Sequence, residues 1–292
     1  MGDELKQVLI TAGQLQPGSA ERAGEVTALL SGLGLDPVRR ATVTVPPPAT
    51  AAGPEAAARR ARYAALDVAA KEYGAAAVLL GHTLDDQAET VLLGLARGSG
   101  GRSLAGMPPR RGRYHRPLLA VRRAITGAAC AELGLVPWQD PHNEDFRFAR
   151  ARVRHQALPA LEAALGPGVT EALARTAAQL RADAECLDDL AFAESGQLRH
   201  DASDPAGLDT SWLSALPAAI RARVLRDAAI MAGCPHGALT AGHVDRIDAL
   251  VTAWRGQRWV DLPGGVRARR RDGKLWFTSS VTKDEGKPVG RT

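Results

Sequence analysis

The sequence predicts an α/β fold: a doubly wound, mostly parallel sheet with helices on both faces, followed by a helical domain with a short β region. Two observations predict it. In the first half, short β-branched runs alternate with longer Ala-rich stretches, the pattern of successive βαβ units. In the second half, apolar residues recur three and four apart until a short segment rich in arginine and aromatics near the C-terminus.

The elements follow in order. Gln7 to Thr11 (QVLIT) reads as a strand, Ser19 to Leu33 as a helix closing on Gly34, and Ala41 to Val45 (ATVTV) as the next strand. A Pro-rich connector leads to a strong helix former from Glu55 to about Tyr73. Ala76 to Gly81 (AAVLLG) is a buried strand, and another helix begins at once. Beyond Gly98 runs a loop rich in glycine, serine and proline, of a length that is often functional. Leu158 to Ala191 reads as helical, a polar stretch from Gly196 to Asp209 interrupts, and further helices lie around Trp212 to Met231 and His243 to Trp254. A β region from Arg258 to Ser280 carries the turn signals Pro263-Gly264-Gly265 and Asp272-Gly273, and the tail from Val281 is expected to fray. The expected domains are 1–155, catalytic, and 156–292, an appendage.

At 292 residues the chain can bury a full core and form two compact units. Its formal net charge of +5 comes mostly from arginine, which suits bidentate contacts to phosphate. Cys130, Cys186 and Cys234 are odd in number and far apart, with no CxxC, which argues against a disulfide framework or a zinc finger. No apolar run reaches the length of a membrane span, and MGDELKQ lacks the order of a signal peptide, so the cytoplasm is expected.

The chemistry concentrates in Leu79 to Gly100, LLGHTLDDQAETVLLGLARGSG. A strand delivers Gly81 and His82 to the carboxyl edge of the sheet, where open α/β folds bind ligands. Thr83 can then cap a helix with Asp85 and Asp86 in its first turn. His82 and Asp86 are four apart, so a proton carrier stands beside a carboxylate that could orient it or hold Mg2+. The plainer alternative is that the two aspartates only complement the helix dipole. Downstream, Arg150, Arg152 and Arg154 alternate at a spacing that does not share a helix face, so the segment is either partly extended or fans around a helix start. They read as a phosphate clamp or as solvated ion pairs with Glu144 and Asp145. In the β region Arg267, Arg269, Arg270, Arg271 and Lys274 interleave with Trp259, Trp276 and Phe277, a surface able to hold RNA or to guard a sheet edge.

These residues resemble the tRNA(Ile)-lysidine synthetase family of the ATP pyrophosphatase, or PP-loop, group. The match runs through Gly81-His82, Leu84 to Thr90 and Arg97 to Gly100, then Leu104 to Met107, Arg116 to Leu119, and Trp138 with Asp140, Pro141 and Asn143. It ends in Arg150 to His155, where Ala151 stands in place of the family's usual asparagine; upstream, Glu55, Arg59, Arg62 and Tyr63 resemble a family helix.

The resemblance implies an adenine nucleotide alpha hydrolase-like fold and an ATP-dependent ligase that joins lysine to C2 of the wobble cytidine of tRNA(Ile) bearing a CAU anticodon. It implies His82, Asp86 and Asp85 at the reacting centre, with Asp86 a Mg2+ candidate. Arg97, Gly98, Ser99 and Gly100 would bind nucleotide, and Arg150, Arg152, Arg154, Asp140 and Asn143 would hold tRNA or phosphate. ATP, Mg2+, lysine and tRNA are the implied ligands, the appendage is expected to bind tRNA, and a homodimer is left open.

The family's Ser-Gly-Gly-x-Asp-Ser loop occurs nowhere in the chain; the resemblance begins at Leu15, and Ala12-Gly13 stand where an Asp-His pair is usual. The expected fold therefore lacks its first strand, and a start displaced from that of a complete lysidine synthetase is the expectation. The alternatives are a degenerate tRNA-binding paralogue and another PP-loop enzyme such as a tRNA 2-thiolation enzyme.

Overall fold

The computed structural model describes residues 7–11, 19–43, 53–98, 100–199 and 207–279. The sequence features at Ala12-Gly13, Leu15 to Gly18, Ser99, most of the polar stretch before Asp209 and the tail from Val281 lie outside them. The chain divides into two compact units, one of residues 1–83 with 108–121 and one of 84–107 with 122–292.

The first unit is the α/β part. Strand β1 (Gln7–Thr11) pairs in parallel with β2 (Val38–Thr42), joined through helix α1 (Ser19–Gly32). Helix α2 (Gly53–Glu72) leads to β3 (Val78–Leu79), and β4 (Arg110–Arg111) and β5 (Tyr114–His115) form a hairpin whose second strand pairs in parallel with β3. The expected alternation is there, and its pairing is mostly parallel. It forms two ladders rather than one continuous sheet among the described residues.

Strand β2 begins three residues before the expected ATVTV run, because the exposed Arg39 and Arg40 belong to it. Tyr63 and Arg116, both read from the family pattern, hold this unit together. Buried Arg116 donates to the Pro108 carbonyl at 2.8 Å and the Tyr63 hydroxyl at 3.4 Å, and the Tyr63 and Tyr114 rings lie 4.9 Å apart. Burial and a 2.7 Å hydrogen bond to Asp67 push the Tyr114 phenol up to about 12.

The second unit is helical. Helix α3 (Leu84–Ala96) and the short α4 (Gly101–Leu104) pack on a 31-residue helix, α8 (Val169–Arg199). Between them lie α5 (Arg123–Glu132), α6 (Ala149–Arg152) and α7 (Leu158–Leu165). The last two are joined by a π-helical segment, Val153–Ala157. Gly166-Pro167-Gly168 breaks the helix expected from Leu158 to Ala191, since Gly166 and Gly168 take positive φ and Pro167 cannot continue it.

Helices α9 (Thr210–Ala215), α10 (Ala218–Met231) and α11 (Ala241–Thr252) then pack with an antiparallel sheet of β6 (Leu208–Asp209), β7 (Val260–Leu262), β8 (Val266–Arg271) and β9 (Lys274–Ser279). Leu213, Leu225, Ile247, Leu250 and Leu275 are fully buried at the centre of this core. The Asp272-Gly273 turn joins β8 to β9 with both residues at positive φ, as a two-residue hairpin requires.

Candidate active site

Helix α3 carries three carboxylates on its inner side. Asp85 and Asp86 sit in its first turn, where the helix dipole favours them, and Glu89 follows one turn on with no exposed surface. Each meets arginine. Asp85 accepts the backbone N–H of Arg123 at 2.7 Å, and so caps the start of α5, and it accepts Arg122 Nε at 3.2 Å. Asp86 Oδ1 receives Arg123 Nη2 at 2.9 Å and Arg154 Nη2 at 3.4 Å. Glu89 receives Arg154 Nε at 2.7 Å and Nη2 at 3.3 Å, a two-point grip, and Arg123 Nη2 at 3.1 Å; Arg150 Nε stands 3.6 Å away.

Arg122 also grips Glu171 in the first turn of α8. Asp85, Asp86, Glu89 and Glu171 thus face Arg122, Arg123, Arg150 and Arg154, a cluster with matched charge. Burial works against the charge on Arg154, but Glu89, Asp86 and Asp85 together outweigh it and raise its pKa. The hydrogen bond to Glu171, against a smaller opposing effect of burial, likewise raises Arg122, and Arg122 holds the Glu171 carboxyl below its ordinary range.

Beside this cluster opens a cleft of about 530 Å³, bounded by Asp85, Arg122, Arg123, Arg154 and Glu171 and floored by Leu158, Pro159 and Pro167. Glu162 closes one end. Its carboxylate accepts the backbone N–H groups of Gly168 (2.7 Å) and Thr170 (2.9 Å) and the Thr170 hydroxyl (3.0 Å), which satisfies donors at the start of α8. The N–H of Thr170 chiefly holds the Glu162 pKa down. A carboxyl depressed in the folded state stabilises above its unfolded pKa, and that stability is lost as pH falls through the folded value. Glu162→Gln is therefore expected to lower Tm at pH 7, with a drop that shrinks as pH falls below the ordinary carboxylate range toward the depressed folded value; thermal melts over a series of acid pH values check it, and Glu171 acts with the same sign.

The structure sorts the remaining expected residues. Arg150 and Arg154 both reach α3, because residues four apart share a helix face and the segment is helical throughout. Arg152 does not join them: it donates to the Phe146 and Arg147 carbonyls at 2.6 and 3.0 Å. The segment is helical rather than extended, and Ala151 is buried within it. Asp145, expected to balance these arginines, is instead bound by Arg147.

Arg97 and Gly98 form the turn after α3, whose last residue, Ala96, is about 15 Å along the axis from Asp86 at 1.5 Å per residue, and neither they nor Gly100 line the cleft. Asp140 and Asn143 lie at a 3-10 turn whose Asn143 carbonyl meets His155 Nε2 at 3.1 Å, also outside the cleft lining. His82 falls in the first unit and Asp86 in the second. Sequence reasoning missed Glu89 as the centre of the cluster, and Arg122, Arg123 and Glu171 altogether; the only local signal was Glu89 within the Asp-Asp-Gln-x-Glu run.

Among the described residues no group of three or more His, Cys, Asp or Glu side chains could hold a metal, and Asp86 Oδ1 already accepts two guanidinium contacts. A cage of protein side chains alone is thus absent among the described residues, and a bare triphosphate at the start of α3 would be repelled by Asp85 and Asp86. No helix of the described residues is long and apolar enough to cross a membrane.

The PP-loop domain family matches residues 6–161, and the TilS substrate binding domain matches residues 208–276. The tRNA(Ile)-lysidine synthase of Thermobifida fusca is 60% identical over 261 residues, covering 89% of this chain and 79% of the relative. That of Streptomyces coelicolor is 57% identical over 264 residues, covering 89% and 73%. That of Mycobacterium tuberculosis is 50% identical over 272 residues, covering 91% and 81%. Among solved structures, the U34-tRNA thiolase NcsA from Methanococcus maripaludis with its [4Fe-4S] cluster aligns over 59% of this chain and 61% of its own, at 16% identity and a TM-score of 0.49. On the strength of the PP-loop match and of these close relatives, the chain belongs to the tRNA(Ile)-lysidine synthase family.

Proposed function

We propose that the chain ligates lysine to C2 of the wobble cytidine of tRNA(Ile) with a CAU anticodon, so that the tRNA reads AUA instead of AUG. The observation that carries this is 60% identity over 89% of the chain to a tRNA(Ile)-lysidine synthase. In the reaction, ATP converts the C2 oxygen of the cytidine into an adenylate with loss of pyrophosphate, the lysine amine attacks C2, and AMP leaves with that oxygen. ATP and lysine are co-substrates, with Mg2+ arriving on the phosphates, and the cytoplasm is the site of action.

The residues then take these roles. The acid and arginine cluster gives a site with both signs of charge, able to orient a zwitterion and to stabilise charge that develops on an activated base. His82 is the candidate to accept the proton that the attacking amine releases, and Asp86 and Asp85 are the carboxylate candidates of the reacting centre. Arg150 and Arg154 anchor the cluster through Glu89, while Arg152, Asp140 and Asn143 are secondary candidates for tRNA contact. Arg97 with Gly98, Ser99 and Gly100 is a weaker nucleotide candidate. Residues 156–292 form the tRNA-binding appendage to a catalytic part at 1–155, and a homodimer is compatible with this arrangement.

The test is incubation of the purified chain with unmodified tRNA(Ile) bearing CAU, ATP, Mg2+ and labelled lysine. The expected result is lysine incorporated at the wobble position, with AMP released only when lysine is present. Salt-sensitive tRNA binding with neither incorporation nor AMP release would favour the binding paralogue instead.

A further inference from the structure

Helix α8 lies between the two family matches, which end at residue 161 and resume at residue 208, yet α3, α4 and α10 all pack on it. Its inner face repeats at helical spacing. Ala177, Ala184 and Ala191 are buried at successive sevenths, and their small side chains let neighbouring helices come close. Arg181 and Asp188 fall between them on the same stripe. Arg181 donates to the Ala105 and Met107 carbonyls and so ties the turn after α4 to α8.

Asp188 joins two parts of the chain. One of its carboxylate oxygens accepts Arg102 Nη2 of α4 at 2.6 Å, and the other accepts Arg223 Nε of α10 at 2.8 Å. Arg102 belongs to the PP-loop match and Arg223 to the substrate binding domain match. A third arginine, Arg226, follows on α10 and donates to the Leu239 and His236 carbonyls at 3.0 and 3.4 Å. Burial, and then the charge of Arg102, lower its pKa, while Asp227 and Asp188 act the other way. Arg102 and the arginines of α10 thus approach with like charge, and Asp188 turns that repulsion into a bridge. Asp188 is a third exposed and Arg102 nearly half, so the bridge adds little to global stability and acts on orientation instead.

We propose that Asp188 is a positioning residue: by holding Arg102 and Arg223 together it fixes the substrate binding domain in register with the α4 turn and with the carboxylates of α3. The inference rests on the lysidine synthase reading and deepens it by naming the joint between the two matched parts. Helix α4 is seated closely on α3, where a Cβ at Gly94 would stand 3.3 Å from Ser103 Oγ, and α3 carries Asp85, Asp86 and Glu89. At its start α8 also holds Glu171, which grips Arg122 beside the cleft, and towards its end Leu187 and Ala191 enter the core shared with α10. A substrate gripped by one part and reacting in the other is sensitive to any slip between them, since a displacement of about 1 Å caused far from the chemistry can cost about 100-fold in rate.

The experiment compares the full chain with Asp188→Asn, Asp188→Glu, Arg102→Ala and Arg102→Ala/Asp188→Asn for lysine incorporation into unmodified tRNA(Ile) bearing CAU, for tRNA Kd and for Tm. Asp188→Asn is expected to lower kcat about tenfold at saturating tRNA, with Kd and Tm nearly unchanged. Asp188→Glu, which keeps the charge, should retain most of kcat, and the double variant should fall no further than Asp188→Asn, because both changes act through one bridge. An unchanged kcat in Asp188→Asn, or a loss that a lower Tm explains in full, would overturn the assignment. A rise in Kd large enough to explain the loss would overturn it too, by making these residues tRNA contacts. No incorporation by the original chain would sink the functional reading without deciding the joint. In that case hydrogen exchange decides it: the amides of Ser103 to Gly106 should exchange faster in Asp188→Asn with those of Leu225 and Ile247 unchanged, and equal exchange in the two chains would overturn the joint.

Discussion

Glu89→Leu is expected to destabilise the second unit by about 3–5 kcal/mol, the usual effect of removing one partner from a buried charge cluster. Glu89 has no exposed surface, and three arginines converge on it: Arg154 at 2.7 Å, Arg123 at 3.1 Å and Arg150 at 3.6 Å. Without it Arg123 and Arg154 still share Asp86, but two guanidinium groups then crowd one carboxylate and Arg150 keeps only the Thr90 hydroxyl at 3.4 Å.

Glu89→Gln should fall between, since the amide keeps an acceptor but not the charge. Adding Arg154→Leu to Glu89→Leu should recover at least half of the loss, because removing both members of a buried pair is far cheaper than removing one. Urea denaturation of the original chain, Glu89→Leu, Arg154→Leu and the double variant measures the coupling. A single-variant loss under about 1 kcal/mol, or no recovery in the double variant, would show that Glu89 does not anchor the cluster.

How much of this was legible in the sequence depends on how local each cause is. The Asp272-Gly273 hairpin and the placement of Asp85 and Asp86 at a helix start depend on backbone preferences within a few residues, and both were read directly. The distance from Asp86 to Arg97 was also legible, since helix rise alone separates them, yet motif continuity suggested one site. Glu89 was not legible as a buried centre, because its partners Arg123 and Arg154 lie 34 and 65 positions away.

The split of Arg152 from Arg150 and Arg154 follows from helical spacing, since residues four apart share a face and the one two along does not; what the sequence left open was whether the segment is helical or extended. That β9 pairs with the whole of β8 while β7 reaches only Val266 to Ala268 is a matter of topology rather than of the strand's own residues. In the first unit the mostly parallel alternation was readable, while the exact start of β2 was hidden by two arginines.

Gly106→Ala is expected to cost about 3–5 kcal/mol, which shows that the family motif mixes site residues with purely structural ones. Gly106 has φ +61°, where an L side chain is strained, and a Cβ there would lie 2.6 to 2.9 Å from the amide end of Gln87. Gln87 cannot simply swing away. It is buried, its Oε1 accepts the Met107 N–H at 2.8 Å, and its Nε2 donates to the Met107 carbonyl at 3.0 Å.

Displacing Gln87 orphans both of its contacts in a dry interior, although Arg181 still reaches the Met107 carbonyl at 2.8 Å. Gln87 thus pins the turn after α4 onto α3, between the two carboxylate positions that hold the arginines, and touches nothing in the cleft lining. Gln87→Ala should accordingly lower Tm while lysine incorporation per folded molecule stays within about twofold, a shift worth only about 0.4 kcal/mol of activation free energy. A Gly106→Ala chain as stable as the original would mean that Gln87 repacks freely; a Gln87→Ala chain that melts normally but has lost activity would instead move Gln87 into the catalytic machinery.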